Sequence, residues 1–348
     1  MATKSHETTK LSREKQFVEA CKIGDLDQVK FLHSLGVNLN CSDLYGFPAL
    51  MWAINKKQND IALYLIQQKC DVNISSTSGK TPLMEASEKS MIDVMKLLVE
   101  AEADIYAQDN SGFLASMYAC RYDRIEAFKF FAERYDDIFN YRDNEGNSHL
   151  IIAAQNESKN GYNELASYIY SLGKEKVCAK NFNGRNALTY AISSNAYFFV
   201  EEILNDGVEI WKDSNVFRYA NSIECVDILI RYGFDINDIN AKHQTVLFLN
   251  SGNRIYEYFL SLDGVDINKM DDDGKNAICE HYCDCNKIEM LLKKGANVLE
   301  GSCKEGTTWG YVAKKYIMFS FNAFNRKQIL RMIKRAEIKQ RLKKLIKR

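Results

Sequence analysis

Gly46, Gly79 and Gly112 stand 33 residues apart in this 348-residue chain, and Asp71, Asp104 and Asp137 keep the same interval. Two independent markers on one period define a structural repeat, and a period near 33 is that of a turn followed by two short helices. A chain of this kind buries its core between neighbouring units, so its length does not translate into two ordinary globules. Two prolines in the whole sequence leave long stretches free to be helical and exclude proline-rich linkers.

The clearest unit runs from Ser76 to Ala107. Thr81 is suited to cap a helix, and Pro82 fits its first position, where a missing N–H costs nothing. Leu83 and Ala86 then mark one buried stripe. A second helix carries Val94, Met95, Leu97 and Leu98 and closes near Ala101 and Ala103. Gly79 precedes the first helix in a tight turn that asks for positive φ.

With Gly79, Thr81-Pro82-Leu83, Ala86 and the closing Ala103-Asp104-Ile105, the chain resembles the ankyrin repeat family. The unit before it matches through Asp43, Gly46, Leu50, Ala53 and Asp71-Val72-Asn73, although Pro48 lies one residue early. Later units keep fragments such as Asp109/Gly112/Ala119, Asp143/Gly146/Leu150 and Gly295-Ala296-Asn297. Lys22–Asn40 resembles an N-terminal capping unit.

The resemblance implies an all-α solenoid of helix-turn-helix units with short hairpin turns. The expected organisation is a flexible segment 1–12, a solenoid of about nine or ten units over 13–325, and a basic helical tail over 326–348. There are departures. The Gly-His pair that usually joins the two helices is missing, and Glu157–Tyr162 is an insertion. Only 26 residues separate Glu209 from Asp235, so that unit has lost much of its turn and first helix. A regular first half, an irregular stretch after about 205 and a bend near Trp211–Asn221 are therefore predicted.

The resemblance also implies function: a non-catalytic scaffold or adaptor binding a protein along the groove of turn tips and first-helix ends. Those positions are Leu44, Tyr45, Phe47, Asn55 and Lys56; Thr77, Ser78, Lys80, Glu88 and Lys89; and Asn110, Ser111, Phe113, Arg121 and Tyr122. A more polar fifth set is Asn144, Glu145, Asn147, Gln155 and Asn156. Tyr45, Phe47, Phe113 and Tyr122 bring aromatic rings to places free to serve recognition, and Tyr and Arg dominate binding hot spots. Trp52, beside the core stripe, reads as packing.

Other chemistry finds little support. Gly79-Lys80-Thr81 mimics the end of a phosphate loop, but Ile74 stands where the first glycine belongs. Asp271-Asp272-Asp273-Gly274 with Glu280 resembles a calcium loop, but Lys269 occupies the first ligand position. Cys279, His281, Cys283 and Cys285 are the densest zinc-like cluster, at a spacing that structural zinc sites seldom use. No hydrolase or kinase motif is present, and the five histidines are scattered, so neither an enzyme nor a cofactor is expected.

Met1–Gln16 has no apolar segment of the kind a secretory signal carries, and no window is apolar enough to span a membrane. Ten scattered cysteines read as reduced core thiols, and the expected compartment is cytoplasm or nucleus.

Zero formal charge hides a strong asymmetry. Arg326–Arg348 holds 11 of the 46 basic residues and only Glu337 of the 46 acids, leaving 35 against 45 in the rest. This tail is helical by composition. Ile329, Ile333 and Ala336 share one face, and Ile338, Leu342 and Leu345 share the opposite one. The first half is expected to cap the last repeat and the second to project. Lys339, Arg341, Lys343, Lys344, Lys347 and Arg348 would meet an anionic partner, whether acidic protein or phospholipid. Nucleic acid is disfavoured, because the tail lacks aromatic side chains to stack on bases.

Overall fold

The computed structural model describes residues 2–157, 160–173, 177–207, 216–249, 252–281, 284–298 and 323–346; within these, side chains are described except for 2–12, 285, 323–330 and 344–346. The chain divides into two compact units, Met1–Ser194 and Asn195–Arg348.

The first unit is a stack of helix pairs. They are α1 (Ala2–Ile23) with α2 (Leu26–Ser34), α3 (Ala49–Asn55) with α4 (Asn59–Gln67), and α5 (Pro82–Lys89) with α6 (Ile92–Glu100). Next come α7 (Ala115–Arg121) with α8 (Ile125–Ala132), α9 (His149–Ala154) with α10 (Glu164–Ser171), and then α11 (Ala187–Ser193). First helices pack on first helices along the stack, and second helices on second helices from α2 to α8.

Thr81 caps α5 by accepting from the Met84 N–H, and Pro82 occupies the first turn, as expected. Leu50, Ala53, Leu83 and Ala86 are buried between successive pairs. Burial raises the Cys41 and Cys70 thiols to about 12, which keeps them protonated in that core.

Two expectations change. Where a flexible segment 1–12 is expected, a helix runs unbroken from Ala2 to Ile23. The segment contains no Gly or Pro, and Gly24 at φ 89° follows its end. The missing Gly-His pair is also replaced rather than simply lost. Between the paired helices Lys57, Ser90 and Asp123 take the left-handed conformation at φ 55–58°. Each such residue costs about 1 kcal/mol, which packing of the helix pair offsets.

The turns share one device. Asp43 Oδ1 accepts from the N–H groups of Tyr45 and Phe47, Asp109 Oδ1 from those of Ser111 and Phe113, and Asp143 Oδ1 from those of Glu145 and Asn147. Asn181 does the same for Asn183 and Arg185.

Adjacent turns are then tied to each other. The Asn110 N–H donates to Ser78 O at 3.0 Å, and the Asn144 N–H donates to Ser111 O at 3.0 Å. Their side-chain amides reach Thr77 O and Asn110 O. A second ladder joins the repeat ends, where Asn40 Oδ1 accepts from Asp71 N and Asn73 Oδ1 from Asp104 N, both at 2.8 Å.

The second unit holds α12 (Tyr197–Asn205), α13 (Ile223–Arg231), α14 (Asn253–Ser261), α15 (Ala277–Glu280), α16 (Cys285–Lys293) and α17 (Ala323–Ile346). Its first helices are contracted. A single 3-10 turn, Val216–Tyr219, precedes α13, another, Val246–Phe248, precedes α14, and α15 has four residues. The bend expected near Trp211 falls largely outside the described residues. The end ladder persists through Asn237 to Asp266 N and Asn268 to Asn297 N.

Helix α17 docks on α16 through buried Ile333. The Gln340 amide donates to Ala296 O at 2.9 Å and accepts from Val298 N at 3.0 Å. Docking therefore reaches into the second half of the tail, because Gln340 lies two turns beyond Ile333 on the same face.

Candidate functional site

On the surface made by the turns and first helices of the first unit, two turn acids, Asp43 and Asp109, have a partner nine residues later. Asp43 Oδ2 accepts from Trp52 Nε1 at 3.0 Å, and Asp109 Oδ2 from the Tyr118 hydroxyl at 2.7 Å. Phe47 packs edge-on against Trp52 at 4.9 Å, and Phe113 against Tyr118 at 5.7 Å. Lys22 lies over the Trp52 ring at 4.2 Å and Lys56 at 5.6 Å.

Phe113 is therefore a packing residue rather than a free recognition ring, with 8 % of its surface exposed. Phe47 is half-buried for the same reason. Trp52 packs, as its place beside the core stripe suggested.

The third turn departs from this scheme. Ser76 stands where the acid would be, and Glu85, nine residues on, stands where its neighbours carry an aromatic. Glu85 is 2 % exposed. Its carboxylate meets Lys80 Nζ at 2.6 Å and Lys89 Nζ at 3.7 Å, and accepts from Asn55 Nδ2 at 2.7 Å. Lys80 also meets Glu88 at 2.5 Å and sits 4.7 Å from the Tyr118 ring centre, while Lys89 meets Glu88 at 2.7 Å.

Four of the sequence candidates, Asn55, Lys80, Glu88 and Lys89, are thus brought into one network spanning three repeats. Glu85 and Tyr118, which complete it, went unrecognised in the sequence. Burial works against ionisation of Glu88, but hydrogen bonds from Lys80 and Lys89 outweigh it and hold its carboxyl below the usual value of 4.5. Its stabilising contribution is complete above that value and is lost as pH falls through the lower folded one. The melting-temperature deficit of Glu88→Gln should therefore shrink between pH 7 and pH 3. A deficit constant over that range would show that Glu88 acts by packing alone.

The remaining candidates divide. Thr77, Ser78, Asn110 and Ser111 serve the ladder between turns, so the tips do help to hold the fold. In the fifth set Asn144 continues that ladder, Asn147 is buried against Asp143 and Asn181, and Asn156 bonds Cys120 O. Glu145 and Gln155 are exposed. What faces outward in the earlier turns is Leu44, Tyr45 at 82 % exposure, Lys56, Arg121 and Tyr122 at 40 %, the last stacked on Tyr118 at 6.3 Å.

The calcium-like acids serve the repeat turn. Asp271 Oδ1 accepts from the N–H groups of Asp273 and Lys275, and Asp272 engages His243. The turn thus occupies the acids that suggested calcium. Cys279 and His281 are buried, and His281 Nε2 donates to Leu247 O at 2.8 Å. Burial lowers the His281 pKa, in keeping with a neutral donor. Cys283 and the Cys285 side chain lie outside the described residues. Among the described residues no three His, Cys, Asp or Glu side chains are grouped to hold a metal, and no helix is long and apolar enough to cross a membrane.

No curated protein matches the chain. The family model for ankyrin repeats in three copies matches residues 17–109 and 116–214. Those segments cover more than half of the sequence, and the chain belongs to the ankyrin repeat family.

Proposed function

We propose that this chain is a non-catalytic scaffold that holds a protein partner across the turn tips and first-helix ends of its first unit. Ankyrin repeats are generally protein–protein interaction modules. The observation that carries the reading is the outward pair Tyr45 and Tyr122, with Leu44, Lys56 and Arg121 beside them. Exposed rings and cations are what a partner can desolvate. Protonated core thiols fit a reducing compartment, cytoplasm or nucleus.

Affinity capture tests this. The triple variant Leu44→Ala/Tyr45→Ala/Tyr122→Ala should melt within a few degrees of the parent and capture its partners roughly 10- to 100-fold less well. Equal capture by a folded variant would remove this surface from the function.

A second reading is that α17 contacts an anionic partner. It is favoured by the exposure of Arg331, Lys334, Arg335, Lys339, Arg341 and Lys343 along one docked helix. The side chains of Lys344, Lys347 and Arg348 lie outside the described residues.

A further inference from the structure

Helix α17 combines high charge with two apolar faces, and docking accounts for only one of them. Ile333 and Gln340 turn toward the last repeat. At about 100° per residue, Arg331, Arg335, Ile338 and Leu342 share the opposite side. Ile338 is 51 % and Leu342 53 % exposed. Lys334 and Lys339, both exposed, flank that side. The two apolar faces oppose each other, which is why the helix read as a whole has no single stripe. Once its inner face is occupied, the outer face is amphipathic by itself: aliphatic at the centre and basic along both edges.

We propose that this outer face rests on an anionic phospholipid surface, with Ile338 and Leu342 entering the headgroup region and the flanking cations meeting lipid phosphates and carboxylates. The inference rests on the reading of α17 as an anion contact and names its partner. Charge complementarity sets the sign of the partner, and the shape and composition of the face set its class. A convex helix side with cations on both edges meets a flat surface all at once, and long Lys and Arg stems let the apolar centre approach while the charges stay hydrated. Aromatic rings supply many of the anchors at protein interfaces, and a nucleic acid strand calls for rings to stack on. Arg326–Arg348 contains no aromatic residue. Basic residues near an anionic bilayer and a shallow aliphatic insertion reinforce one another, neither sufficing alone.

The test is flotation of the full-length chain with phosphatidylcholine vesicles, either plain or containing about a quarter phosphatidylserine. Heparin retention would be measured in parallel as a probe of anion binding without a bilayer. The chain should float with the anionic vesicles and not with the plain ones. Ile338→Gln/Leu342→Gln and Arg335→Gln/Lys339→Gln should each reduce flotation about tenfold, with melting unchanged because all four side chains are exposed. Undiminished flotation of the Ile338/Leu342 variant, with loss in the Arg335/Lys339 variant, would overturn the aliphatic insertion and leave only an electrostatic contact. Heparin retention without flotation would overturn the membrane assignment and leave the anion contact standing. Neither flotation nor retention would overturn both.

Discussion

Replacing Lys80 with methionine is expected to destabilise the first unit by about 3 kcal/mol, the lower end of what breaking a buried ion pair costs. The carboxylate left behind, Glu85, is nearly sealed from solvent and would keep only Lys89 at 3.7 Å and the Asn55 amide at 2.7 Å. Lys89 is what keeps the loss from being larger. The double variant Lys80→Met/Glu85→Met should recover most of the stability, since an apolar pair of similar volume removes the orphaned charge along with its partner. Glu85→Met restores the apolar character that Trp52 and Tyr118 have at the equivalent place in the neighbouring repeats. Urea unfolding followed by Trp52 fluorescence would measure this, in a Trp211→Phe/Trp309→Phe background that leaves one tryptophan. A double variant no better than the single one would mean that Lys80 acts through its contacts with Glu88 and Tyr118.

That network also marks the limit of what the sequence discloses. The 33-residue markers, the Thr81-Pro82 helix start and the apolar stripes were legible because each follows from backbone geometry that repeats. The short interval from Glu209 to Asp235 was legible for the same reason. Glu85 was not. In Leu83-Met84-Glu85-Ala86-Ser87-Glu88-Lys89 the sealed carboxylate of Glu85 looks no different from that of Glu88, and only the neighbouring repeats supply Asn55 and the Tyr118 ring.

Phe113 was misplaced for a related reason. Four residues after a turn acid, a ring can face a partner or fold onto the helix that follows. The signal that decides it is the recurring five-residue step from Phe47 to Trp52 and from Phe113 to Tyr118, which sets each pair edge to face. The tips were read as free of structural duty because a hydrogen bond from Asn144 N to Ser111 O joins residues a full repeat apart. A pattern confined to one unit does not display it.

Gly112→Ala should expose how much of the stack depends on that ladder. Gly112 has φ 81°, which costs an L residue about 1–2 kcal/mol. A Cβ there would also stand 2.8 Å from the backbone nitrogen of Asn144 and 2.6 Å from its Oδ1. The nitrogen belongs to the next turn and cannot rotate away, so either the two turns separate or the Asn144–Ser111 bond lengthens. Overpacking of that kind adds about 1–3 kcal/mol, for a total near 3.

Gly184→Ala provides the comparison. Its φ is 73°, yet a Cβ there meets nothing within 4 Å, so it should lose only the conformational part. The difference between the two urea midpoints isolates the contact between turns. Stability in a repeat stack is a sum of unit and nearest-neighbour terms, so the Gly112 variant should lose cooperativity across the fourth and fifth repeats. Amide exchange should then rise first at Asn144 and Gly146, on the far side of the broken interface. Equal losses at the two glycines would assign the whole cost to backbone conformation and remove the ladder from the energetics of the stack.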